Sequence, residues 1–183
     1  MKTNFILKAT VVAATLLALP FVQAANLSKT DYQAGQTRIS ADYKADSDSC
    51  KSRADNARDI CNEEAKGKQK VALAELEFGY SGKTEDRTKV MVAKAESVYA
   101  VAKEKCDDMA GNVKDVCAKE AKAAETKALA DAKMGEQIVD AQTDASQARR
   151  DADYGVAIEK CDAMSGDAKA SCVTAAKAKF GKS

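Results

Sequence analysis

Histidine is absent from this sequence of 183 residues, and proline occurs once, as Pro20. Without histidine, the usual base of a Ser–His or Cys–His pair is missing, and so is the commonest metal ligand. No Cys-x-x-Cys occurs, which argues against a reactive dithiol. No Gly-rich phosphate loop is present. The carboxylates are scattered along the chain and form no convergent acid–base pair. The expectation is a protein that is not an enzyme, with no catalytic residue, no cofactor and no metal site. Proline costs about 3 kcal/mol inside a helix, so its absence after residue 20 permits long helices. Strand-like alternation is missing as well. Alanine is abundant, and the predicted fold class is all-α.

Charge is plentiful but of neither sign in excess. The whole chain carries 29 Lys+Arg and 28 Asp+Glu. This balance gives no electrostatic case for a nucleic-acid partner. Several acidic residues stand four positions before a lysine, as expected on solvated helix faces: Glu64 before Lys68, Glu85 before Lys89, Asp115 before Lys119.

The first residues have the form of a secretory signal peptide. Lys2 and Lys8 precede an apolar stretch from Ala9 to Val22, and Val22-Gln23-Ala24 supplies small residues for cleavage after Ala24. The apolar run is shorter than the roughly 20 residues a membrane span needs. Residues 1–24 are therefore read as a signal peptide, with no transmembrane span after its removal, and residues 25–36 as a flexible N-terminus.

The six cysteines are arranged as an internal repeat. Cys50 and Cys61, Cys106 and Cys117, and Cys161 and Cys172 form pairs of one spacing, and Tyr43, Tyr99 and Tyr154 each precede a pair by the same interval. Such agreement marks three tandem copies, placed at 37–79, 80–135 and 136–183. The second and third copies are close, and the first is divergent. Mid-copy, Gly111 and Gly166 suit a left-handed helix end, and Asn112 and Asp167 suit the cap of the next helix. The first copy has Asp55 and Asn56 there, with Asn the residue that tolerates a left-handed backbone.

These signals predict helices over 37–54, 56–77, 84–110, 112–134, 138–165 and 167–180. Breaks are expected at Phe78–Gly82 and, more weakly, at Gly135. Each copy becomes an antiparallel helical hairpin with its two cysteines level across the turn. The preferred pairing is thus three structural disulfides within copies, 50–61, 106–117 and 161–172. The same spacing also returns to one face of a continuous helix, which would link cysteines between copies. Clips would matter, because the apolar stripes are thin and rich in alanine. The stripe into the second turn reads Met91, Ala95, Val98, Ala102, Met109, and the stripe out reads Val113, Cys117, Ala121, Ala124, Ala128. A clip of this loop size contributes about 3 kcal/mol and requires an oxidising compartment. The tyrosines are read as packing residues that cover a neighbouring hairpin.

The blocks KCDDMAGNVKDVCAKEAKAAETKALADAK and EKCDAMSGDAKASCVTAAKAK resemble an Ala/Lys-rich family of exported proteins of β-proteobacteria, often labelled TolA-like or cell-envelope biogenesis proteins. The likeness is specific over 99–133 and 154–179 and loose over 43–67. It implies a periplasmic location. The expected partner is a protein or cell-envelope component. The functional expectation is a non-enzymatic structural or interaction protein of the envelope. One alternative is a metal-binding or metal-stress protein in which Cys106 and Cys161 act with Met109 and Met164, although Arg53 replaces the methionine in the first copy. A second is a holdase-like stress chaperone using apolar inner stripes.

Overall fold

The computed structural model describes residues 26–182. The signal peptide and its cleavage after Ala24 lie outside the described residues. Five helices follow in order: α1 (Lys29–Cys50), α2 (Asp55–Ser81), α3 (Thr84–Asp107), α4 (Gly111–Asp162) and α5 (Gly166–Phe180). The fold is all-helical, as expected. Among the described residues each helix packs only against its neighbours in the chain: α1 on α2, α2 on α3, α3 on α4 and α4 on α5. The result is an open antiparallel layer, with no closed bundle. Three of its four turns carry a disulfide, Cys50–Cys61, Cys106–Cys117 and Cys161–Cys172. The links lie within copies, as preferred, and none joins one copy to another.

Several boundaries differ from the sequence reading. The segment 25–36, expected to be flexible, is helical from Lys29. Ser28 caps the helix by accepting from the Asp31 amide. Tyr32 then donates to Glu77 at 2.6 Å and stacks on Tyr80 with ring centroids 4.7 Å apart. Gly35 is buried where α1 approaches Leu76 of α2. The break expected at Phe78–Gly82 reduces to its last residue. α2 runs through Phe78 and Gly79 to Ser81, and only Gly82 is left-handed, at φ +65°. At Gly135 there is no break at all. α4 continues for 52 residues, about 78 Å at 1.5 Å per residue, because alanine and charged helix formers surround one tolerated glycine.

The core is small. Ala132 and Ala65 are almost wholly buried, with Ile39, Val90, Ala93, Ala95, Ala176 and one or both sulfurs of every clip. The close helix approach that alanine allows is clearest between α2 and α3, where Gly67 faces Ser97. A Cβ on Gly67 would stand 2.9 Å from that of Ser97. Of the stripe expected on α3 only Ala95 is buried; Val90 and Ala93 join it, whereas Met91, Val98 and Met109 are exposed, Val98 by 66%. α3 lies between α2 and α4, so it buries two opposite flanks, and the ridge between them faces solvent.

The pairing of charges also departs from the i,i+4 pattern. Lys68 reaches across to Asp46 of α1, and Lys70 and Lys94 reach from either helix to Glu96 and Glu75 across the α2–α3 seam. Lys89 pairs with Asp86, one position nearer than Glu85. Exposed pairs of this kind are individually worth about 0–1 kcal/mol and chiefly favour one register.

The unclipped turn between α2 and α3 is held by Asp86. Its buried carboxylate accepts from Lys89 and from the Ser81 hydroxyl, and these bonds hold its pKa below the ordinary carboxylate range. The depressed folded pKa means this contribution is complete above about pH 4, where the unfolded group is ionised. It is lost as pH falls through the folded pKa. Asp86→Asn is therefore expected to melt lower than the parent at pH 7, with the gap closing as both are titrated towards pH 2. A gap that persists at pH 2 would show that the carboxylate charge is not what holds the turn.

Candidate functional site

The three clipped turns are built alike. In each, the Cα atoms of the cystine are 5.6 Å apart, inside the range a disulfide requires. A backbone bond closes each turn onto the first cysteine: Arg53 N to Cys50 O, Met109 N to Cys106 O and Met164 N to Cys161 O, each 3.0 Å. A left-handed residue then opens the second helix, namely Asp55, Gly111 and Gly166. Asp55, and not Asn56, takes that conformation in the first copy. The expected caps also shift. The extended residue before each second helix is Ala54, Ala110 or Ser165, and none supplies a side-chain cap bond. Asn112 and Asp167 follow the left-handed residue inside the helical run. Asn56 instead donates its amide to the Glu104 carbonyl at 2.8 Å, tying the first turn to α3.

Copies two and three share an ion pair beside the clip. Lys114 meets Asp107 at 2.7 Å, and Lys169 meets Asp162 at 2.8 Å. Lys114 lowers the pKa of Asp107, and Asp107 raises that of Lys114. The corresponding positions of the first copy hold Lys51 and Arg58, both basic, and Lys51 turns back to Asp48. The divergence of the first copy is thus a change of charge at its turn with the backbone kept.

The tyrosines pack within their own hairpins, a correction to the expected cover of a neighbour. Tyr43 lies in the α1–α2 groove with Ala65 and Lys68. Lys122 lies 5.0 Å above the Tyr99 ring while it pairs with the buried Glu125. Tyr154 meets Phe180 edge to face at 6.0 Å. Each ring is long enough to bridge a gap that alanine leaves.

Two shallow apolar grooves run along one face of the layer. The first, between α2 and α3, is floored by Val71, Val98, Val101 and Ala102 and edged by Lys68, Lys94 and Lys105. The second, between α3 and α4, is lined by Met91, Val98, Tyr99, Ala121 and Ala128. The grooves share Val98, the exposed ridge of α3. They were missed in the sequence, although Val90, Met91, Ala93, Ala95, Val98 and Val101 together spread over about 200° of the helix, more than one buried stripe covers.

No free cysteine exists among the described residues, so no thiolate is present to bind a soft metal. Met109 and Met164 sit exposed in their turns. No group of three or more candidate metal ligands occurs among the described residues. No helix there is long and apolar enough to cross a membrane. No protein-family model, curated protein or solved structure matches the chain.

Proposed function

We propose that this is a non-enzymatic periplasmic protein that serves the cell envelope as a structural or interaction module. The observation that carries the reading is the set of three disulfides on so slight a core. Disulfides persist in oxidising compartments, and the leader-like first 24 residues point the same way. An open helical layer with charged faces offers long surfaces to a partner. The partner on this reading is a protein or another envelope component. Osmotic-shock fractionation of the native host tests the location. Recovery in the shock fluid, shortened by the leader and fully oxidised, is the expected result. A full-length, reduced cytoplasmic protein would refute it.

The grooves beside Val98 favour a second reading, a holdase-like chaperone that shelters apolar segments. That reading predicts suppression of client aggregation at equimolar ratio, and its loss in Val98→Asp. Absence of suppression by the parent protein would dismiss it.

A further inference from the structure

α4 is covered by α3 along its first half and by α5 near its end, leaving one long face bare. On that face Met134, Ile138 and Val156 are 54%, 50% and 56% exposed. Met134, Ile138, Ala141, Ala145, Ala148 and Ala152 follow one another in alternate steps of four and three. This is the a/d repeat of a coiled-coil seam. With Ala130 and Val156 at its ends the seam is about 40 Å long at 1.5 Å per residue. It points away from the buried Ala132, which faces α3, and from Tyr154, which faces α5. From residue 140 to 153 every side chain is exposed. A helix bare on all sides has only its own propensity to hold it.

We propose that α4 pairs with α4 of a second copy of this chain, antiparallel, about a two-fold axis at Ala141. Size favours this register. Met134 falls opposite the second copy's Ala148, and Ile138 within one residue of its Ala145, so each large side chain enters the space left by a small one. An in-register parallel pair would set Met134 and Ile138 against themselves and leave alanine against alanine along the rest. Charge favours it too. In an antiparallel pair like flanks face each other. One flank carries Asp131 and Arg149, the other Lys133 and Asp151. The axis at Ala141 leaves Asp131 two residues, about 3 Å along the helix, from level with the second copy's Arg149, and Lys133 as near its Asp151, within reach of these side chains. Each contact occurs twice by symmetry, and the two attractions outnumber the one repulsion at the same offset, Asp140 with the second copy's Asp144. Asp131, Lys133 and Arg149 form no ion pair within their own chain among the described residues, whereas Asp151 holds Lys182 at 2.6 Å and keeps one carboxylate oxygen free of that bond. The inference concerns self-association alone and does not rest on a periplasmic role.

Sedimentation of the native, oxidised protein over a range of concentrations tests it. The expected species is a dimer that dissociates on dilution. Ile138→Asp is expected to leave a monomer with the parent's circular dichroism, since the residue is exposed in the single chain. Asp131→Arg and Arg149→Asp are each expected to weaken dimerisation on the order of ten-fold, by turning two attractions into repulsions. The combined D131R/R149D chain is expected to recover the parent's affinity. Monomer at every concentration overturns the proposal, as does a dimer indifferent to Ile138→Asp. A dimer that the combined swap does not restore overturns the antiparallel register, because a parallel pair sets Arg149 beside the second copy's Asp144 instead.

Discussion

Replacing Cys161 and Cys172 together by serine is expected to release α5 from α4 while the rest of the molecule stays folded. α5 has 15 residues, and Ala176 is its one buried residue. A helix of that length is marginal alone in water. Apart from the cystine, its main holds on α4 are the Tyr154–Phe180 contact and the Lys182–Asp151 pair at the end remote from the turn, and the exposed Lys169–Asp162 pair beside the turn. Removing a clip that closes so short a loop forfeits about 3 kcal/mol, more than the central values for an edge contact and two exposed pairs return. Hydrogen exchange read by mass spectrometry is expected to show 166–180 unprotected and about one-tenth of the helical ellipticity lost. The matching removal of Cys50 and Cys61 should be milder. α1 is also held by Tyr32 on Glu77 and Tyr80, by Leu76 over Gly35 and by buried Ile39. Equal protection of 166–180 with and without its clip would mean that packing alone seats α5.

Ala145→Pro is expected to sever α4 as a mechanical element while sparing both packed ends. The proline removes a backbone hydrogen bond and meets the preceding carbonyl, at a cost of about 3 kcal/mol or more. Every residue from 140 to 153 is exposed, and the Lys182–Asp151 pair is the one tie from another helix that the segment carries among the described residues, so the cost falls on local helix and not on the core. A penalty of that size corresponds to roughly a hundred-fold rise in local opening, read as faster tryptic cleavage at Arg149 and Arg150. The two fragments should separate on a non-reducing gel, because no disulfide spans that segment: the first and second clips lie before it and the third after it. Thermal unfolding of the α2–α3–α4 region should be unchanged. Cleavage no faster than in the parent would show that this part of α4 is not helical to begin with.

The repeat, the helix class and the disulfide partners were legible because each rests on local chemistry. Spacing fixes which cysteines can meet across a turn, and the scarcity of proline leaves helix as the default. What was not legible came from the layer. Met91 and Val98 read as core on a single amphipathic stripe, but a helix with neighbours on both flanks keeps Ala95 of that stripe buried and adds Val90 and Ala93 in place of the other two. Gly135 read as a break because its counterpart in the preceding copy is Gly79, near Gly82. Only the latter is left-handed. The N-terminal segment read as flexible from its place at a terminus, yet Tyr32 and Gly35 find their partners on α2. Charge pairs followed the same rule: Lys68 chose Asp46 on the adjacent helix over Glu64 on its own.

Contacts confined to chain neighbours have a bearing on how the molecule is made. The first cysteine of each copy is joined to the very next one, 11 positions on. A chain delivered N-terminus first presents Cys61 to Cys50 before any competing thiol has emerged, and likewise for the later two couples. Oxidation in order of appearance thus yields the native set. The short loops bring each couple together in well under a microsecond, so the supply of oxidant sets the pace of bond formation. Of the fifteen arrangements that six cysteines permit, the one this protein holds is the one that oxidation in order of appearance would yield.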